Sequence, residues 1–299
     1  MTPWPLAFSR LLVAAFLVAA PAIAAQGPTL DTVSIAAALE AEQRSMRSPG
    51  AAIAVVVGDR IVYDRGFGTT SVERDDPVTP ETLFRVGSVT KMFTGLTAVS
   101  LARAGVVDLR APLGTYVAGL HEVLRGLTLH DLLSHMAGVT SEGADTGPHD
   151  DRALGERVRQ WGAEHVFAPA GDVYSYTGPG YWLAGHALEQ AGKGWYADLV
   201  ARHVLEPLGM RRSTFRPTMA MTWPMALDHR VQGERVTVLR PAPDDASTWP
   251  SGSLYSSARE LARFAIAFMN GGMLDGRQVL DPEAITVMTT RHGGLPGEA

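Results

Sequence analysis

Phe84-Arg85-Val86-Gly87-Ser88-Val89-Thr90-Lys91 is the stretch on which the reading of this chain turns, and one residue in it carries most of the information. Lys91 is one of only two lysines among 26 basic side chains, the other being Lys193, so arginine supplies the positive charge almost everywhere else. A guanidinium does not lose its proton in a protein. A lysine amine set among apolar neighbours can, and can then accept a proton from a nearby hydroxyl. From Ser88 to Ala104 the apolar positions Val89, Met92, Phe93, Leu96 and Val99 recur at spacings of three and four, and Gly105 supplies a stop, which predicts a helix. Residues three apart share a helix face, so Ser88 and Lys91 meet at its N-terminal end, beside unpaired N–H groups and the positive end of the helix dipole. The pattern points to an activated serine nucleophile with lysine as its base or proton relay. A basic residue retained by chance is the alternative.

On the N-terminal side of this block, Asp31 to Arg44 reads as a helix with Val33, Ile35, Ala36 and Leu39 on one face, broken by Ser48-Pro49-Gly50. Ala51 to Val57 and Ile61 to Gly68 read as an antiparallel hairpin turning at Gly58-Asp59-Arg60. Gly66-Phe67-Gly68 has no helix behind it, so it is read as a strand end and not as a phosphate loop. On the C-terminal side, helical patterns recur over Leu127 to His135, Arg152 to Trp161, Tyr181 to Ala191, Trp195 to Leu205 and Ala258 to Met269. The segment from Leu208 to Ser251-Gly252 has poor periodicity and several Pro and Trp residues.

Bulk properties exclude several function classes. There is no cysteine, which rules out disulfides, thiolate metal sites and a cysteine nucleophile, so the core alone must hold the fold. A net charge of −5 with no basic block argues against a nucleic-acid partner. Residues 1–24 read as a cleavable export signal: Arg10, the apolar run Leu11 to Ala20, then Ala22-Ile23-Ala24 as the cleavage site. The run is too short for a comfortable membrane span. The expectation is a periplasmic or secreted protein with no stable membrane anchor after cleavage, its mature domain spanning 25–299.

Residues Pro49 to roughly Thr290 resemble the serine β-lactamase and penicillin-binding protein-like hydrolases, in particular the class C β-lactamase and esterase branch. The resemblance rests on ordered segments: Pro49-Gly50-Ala51, Thr82 to Lys91, Leu127-Thr128-Leu129-His130-Asp131-Leu132-Leu133-Ser134-His135-Met136-Ala137-Gly138, Glu206-Pro207-Leu208-Gly209-Met210, and Ser251-Gly252-Ser253-Leu254-Tyr255-Ser256-Ser257-Ala258. It implies an α/β fold of the α+β type, an antiparallel β-sheet flanked by helices with a helical subdomain at roughly 106–250, and the serine at the seam. It also implies Ser88 as the nucleophile of an acyl-enzyme, Lys91 as its proton partner, and no cofactor or metal. The family's tyrosine, x, asparagine motif, followed by x, Gly, Tyr, is met by Tyr176-Thr177-Gly178-Pro179-Gly180-Tyr181. Tyr176 becomes the second proton carrier; Tyr174 is the rival on spacing, but only Tyr176 places Gly180 and Tyr181 correctly.

This chain departs from the family pattern twice. Gly178 stands where the pattern has asparagine, so a carboxamide that would bind a substrate amide is missing, a loss on the order of 1 to 3 kcal/mol. That favours ester or peptide substrates over β-lactams. The third motif, lysine or histidine then x and Gly on a strand, has His292-Gly293-Gly294 as its sole candidate, with a surface-loop histidine as the alternative. The expectation is a C-terminally truncated member with an incomplete sheet and an unpaired, aggregation-prone edge on the hairpin. A non-catalytic binding or sensor domain, or an inactive fragment, are the competing functional readings.

Other features are set aside. His130 and His135 lack zinc-binding spacing and are expected to bond locally. The Met219, Met221, Trp223 and Met225 cluster could line an acyl pocket, or pack as core or lid. Lys193 reads as solvated charge in a helix-ending turn. Asp244-Asp245 lacks the further oxygens of a calcium loop.

Overall fold

The structure, a computed structural model, describes residues 30–141 and 146–292; the expected export signal lies outside them. In chain order the elements are α1 (Thr32–Met46), β1 (Gly50–Val57), β2 (Arg60–Ser71), β3 (Arg74–Pro77), β4 (Phe84–Arg85), α2 (Thr90–Arg103), α3 (Glu122–Arg125), α4 (Leu129–Leu133), α5 (Ala153–Val158), α6 (Pro179–Gly192), α7 (Tyr196–Val200) and α8 (Pro217–Ala220). Then follow β5 (His229–Gln232), β6 (Arg235–Val238), α9 (Trp249–Gly252), β7 (Tyr255–Ser256), α10 (Ala258–Met269), β8 (Met273–Leu274), β9 (Arg277–Gln278) and α11 (Pro282–Thr289).

Asp31 caps α1 by accepting the Ser34 N–H at 3.0 Å. The face of α1 turned inward is Ala36 with the half-buried Ile35 and Leu39; Val33, expected on that face, is 78% exposed. The predicted hairpin is present, with β1 and β2 antiparallel and Ala51 opposite Phe67. β3 adds to the far side of β2, leaving β1 as an edge of a three-stranded sheet among the described residues. Gly66 to Gly68 does not end the strand, which runs on to Ser71. The glycines serve close backbone approach instead: a Cβ on Gly66 would lie 2.1 Å from the Val78 carbonyl oxygen, and one on Gly68 2.1 Å from that of Pro49.

α2 departs from the amphipathic helix that its periodicity predicts. It is buried around most of its circumference, and the inward residues include Thr90, Thr94 and Thr97. Each of these hydroxyls is partnered: Thr94 Oγ1 donates to Pro250 O at 2.7 Å, Thr97 Oγ1 donates to Phe93 O at 2.8 Å, and Thr90 Oγ1 accepts the Leu254 N–H at 3.1 Å. A buried hydroxyl bonded in this way avoids the desolvation cost of an unpaired one, so a polar residue can face the core. Phe93, Leu96 and Val99 of α2 join Leu183 and Leu188 of α6 and Phe264 of α10 in one continuous core.

The helix expected over Leu127 to His135 is shorter, because its ends are set by polar groups. Thr128 and Asp131 form a capping box, each side chain accepting the other's N–H at 3.1 Å, and the helix ends at Leu133. His135 lies beyond it with φ 61. The poorly periodic segment holds the β5–β6 hairpin, whose first strand is mostly exposed and whose second is mostly half-buried, each carrying an arginine. Met219, Met221 and Trp223 are exposed and not core.

Candidate active site

A one-turn 3-10 segment, Gly87–Val89, leads into α2 and presents Ser88 at the surface, while Lys91 one turn on is 8% exposed. The backbone can turn here because Gly87 takes φ 55. β4 anchors the approach: Phe84 pairs with Ser256 and Arg85 with Tyr255, which brings the Ser251–Ser256 segment alongside Ser88.

Lys91 is held from three sides. Its Nζ donates to Ser88 Oγ at 3.2 Å and to Ser251 O at 2.7 Å, and it sits 4.8 Å from the Tyr176 ring centroid and 5.4 Å from that of Tyr181. Hydrogen-bond acceptors and aromatic faces of this kind compensate a cationic group for lost water. Tyr176 interacts through its hydroxyl with both Ser88 and Lys91. Partial burial pulls its pKa upward, but hydrogen bonding to Ser88 and Lys91 together with the ammonium's charge outweighs this and leaves the phenol below its ordinary value. Tyr181 differs: burial, then the neighbouring Tyr176 and Tyr174, push its pKa up, and its hydroxyl donates to Leu133 O at 2.8 Å.

Ser88, Lys91 and Tyr176 line a cleft of about 370 Å³ that also includes Met92, His135 and Met288. Tyr174, the rival tyrosine, lines the same cleft but packs edge-on against His135, with ring centroids 5.9 Å apart. Gly178 precedes α6 with φ −72, so nothing in its backbone requires glycine. A Cβ there would rest 3.4 Å from Ser251 Oγ, at ordinary contact. His292 also lines the cleft, but its contacts run to Val287 O at 2.5 Å and to the His130 ring at 5.3 Å between centroids. It follows α11 in irregular backbone, not on a strand, and Gly293-Gly294 lie outside the described residues.

Two residues named in the sequence without a role at the site, Ser251 in a family-like block and His135 as a histidine expected to bond locally, prove to belong to it. Ser251 supplies the carbonyl that holds Lys91, and its hydroxyl accepts the Trp182 indole N–H at 2.7 Å. The Ser251 to Ala258 block carried a signal of importance, but a main-chain contact across 160 positions has no side-chain signature. His135 is the second: it is buried against Tyr176 with ring centroids 4.5 Å apart, and burial followed by the charge of Lys91 lowers its pKa to about 4.

This arrangement, a hydroxyl, a buried lysine and an acidified phenol in one cleft, is accompanied by matching relatives. The Beta-lactamase family profile matches residues 35–296. Penicillin-binding protein 4 of Amycolatopsis lactamdurans is 30% identical over 257 residues, covering 82% of this chain and 66% of the relative. The octameric penicillin-binding protein homologue from Pyrococcus abyssi superposes with a TM-score of 0.74 at 26% identity, covering 90% of this chain and 62% of that one. The class C beta lactamase from Rhodobacter sphaeroides gives 0.67 at 26% identity, covering 85% and 69%. The chain spans 45% and 66% of the lengths of two curated relatives it matches. The sequence, the fold and the assembled cleft agree, and the chain belongs to the beta-lactamase family of serine hydrolases.

Proposed function

We propose that this protein is an exported serine hydrolase that acts through an acyl-enzyme on a small ester or peptide-like acyl substrate. The observation that carries the reading is the buried Lys91 amine bridging Ser88 Oγ and Ser251 O while lowering the Tyr176 phenol. Ser88 Oγ attacks the carbonyl carbon, and its proton passes to the Lys91–Tyr176 pair. Unpaired backbone N–H groups at the start of a helix are suited to stabilise the developing oxyanion. The proton is returned to the leaving group, and water then attacks the acyl-enzyme to release the acid and restore Ser88.

Gly178 supports esters over β-lactams, because no carboxamide stands beside Ser251 to bind a substrate amide. Short-chain aryl esters are therefore expected to turn over faster than a chromogenic cephalosporin, and the reverse ranking would sink the preference. For the acyl-enzyme itself, a fluorophosphonate or penicillin probe is expected to label Ser88 and to lose its target in Ser88→Ala. Labelling that persists in that variant would identify a different nucleophile. Export is read from residues 1–24, and amino-terminal sequencing of the secreted protein checks it: the mature chain is expected to begin at Ala25.

A further inference from the structure

We propose that His135 is the positioning residue for Tyr176, its carbonyl oxygen and its Nδ1 taking the two backbone N–H groups on either side of that tyrosine. Ser175 N–H donates to His135 O at 2.9 Å, and Thr177 N–H donates to His135 Nδ1 at 3.2 Å. The inference rests on the reading of Tyr176 as a proton carrier in acyl transfer. Other ties hold the same segment, with Thr177 Oγ1 donating to Thr140 O and Tyr181 to Leu133 O, both at 2.8 Å. Among the described residues, only His135 brackets Tyr176 itself. Its ring then lies against the Tyr176 ring and fixes the direction in which the phenol leaves the backbone.

The backbone of His135 is itself unusual. With φ 61 it occupies the left-handed region, uncommon for a residue that has a Cβ, and one that glycine would adopt freely. Glycine has no Nδ1. A histidine retained in that conformation is explained by the acceptor it offers to Thr177. The groups facing the ring are Lys91 from α2, Tyr174 and Tyr176 from the loop, and Tyr181 from α6. Burial and the Lys91 charge keep the ring neutral at ordinary pH, so Nδ1 stays a lone-pair acceptor and the proton sits on Nε2.

The test compares His135→Gly, which keeps the backbone and deletes the acceptor, with His135→Asn, which tolerates the same backbone and places Oδ1 where Nδ1 stands. The rate of Ser88 labelling by a fluorophosphonate is measured from pH 6 to 10. His135→Gly is expected to be about 100-fold slower, the cost of a slightly misplaced reacting group. Its pH–rate limb should move towards the ordinary phenol range, a change that a loss of folding alone does not produce. His135→Asn should recover most of the rate. Wild-type labelling by His135→Gly, or labelling by His135→Asn as slow as by His135→Gly, would overturn the proposal. Nitrogen-15 NMR of the wild-type protein provides a readout independent of any variant: Nε2 is expected to carry the proton at pH 7, and a proton on Nδ1 would overturn the assignment. The tautomer is measurable even if Ser88 is never labelled, so failure of the hydrolase reading remains distinguishable.

Discussion

Tyr176 is 52% exposed, yet its phenol lies below the ordinary value, because Ser88 and Lys91 favour the phenolate more strongly than partial burial disfavours it. If the phenolate takes the Ser88 proton, acylation should rise with pH and level off below pH 10. Tyr176→Phe should remove that rise, and an unchanged pH profile in stopped-flow labelling would exclude the phenol from proton transfer. His135 makes a stability prediction with the sign fixed by its depressed pKa. Between its ordinary value of 6.5 and about 4, the unfolded chain takes up a proton that the folded one does not. Stability should therefore be full above pH 6.5 and fall as the pH drops towards 4, by at most about 3 kcal/mol. His135→Asn should flatten that part of a Tm-against-pH curve. At Gly178 a Cβ would meet Ser251 and Trp182 only at ordinary contact distance, and Gly178→Asn should improve cephalosporin turnover relative to ester by roughly 1 to 3 kcal/mol of recognition. A ratio that does not change would show that the missing carboxamide does not set the preference.

At the scale of elements, one face of α2 organises the site. Ser88, Lys91 and Thr94 follow at intervals of three, and Lys91 and Thr94 bind the consecutive carbonyls of Ser251 and Pro250. The helix thereby holds the α9 segment in register against the nucleophile. Thr94→Val should leave Pro250 O and the Tyr196 hydroxyl short of a partner and cost about 1 to 3 kcal/mol, read as a lower Tm. The Ser88–Lys91 pairing was legible in the sequence because helical spacing and the rarity of lysine both point to it. The assignment of Tyr176 came from the family pattern, and the cleft brings it to the same place. What escaped were contacts made by main chain: the Ser251 carbonyl, and the His135 clamp, which needs a left-handed backbone that side-chain periodicity does not encode. The extensive burial of α2 was missed for a related reason, since its inward threonines read as polar until their acceptors are known. The β5–β6 hairpin escaped because none of its strand residues is fully buried, so no alternation of buried and exposed positions marks it.

At the scale of the molecule, the small antiparallel sheets and the helices around α2 form the fold of the beta-lactamase family. Strand β1 pairs with β2 alone among the described residues, and Gly50 to Val57 contains no charge or proline to discourage further pairing. Hydrogen exchange should therefore show alternate amides of β1 exchanging fast while those bonded to β2 are protected. Protection of every β1 amide would mean that another strand covers the edge. The central claim is that Lys91 activates Ser88, and the most direct measurement is the rate at which a fluorophosphonate adds to Ser88 in the wild-type protein and in Lys91→Arg. One probe per wild-type chain, mapped to Ser88, is expected, with a rate at least about 100-fold lower in the arginine variant, which keeps a charge but cannot release a proton and so cannot relay one. Labelling of Lys91→Arg at the wild-type rate would contradict it.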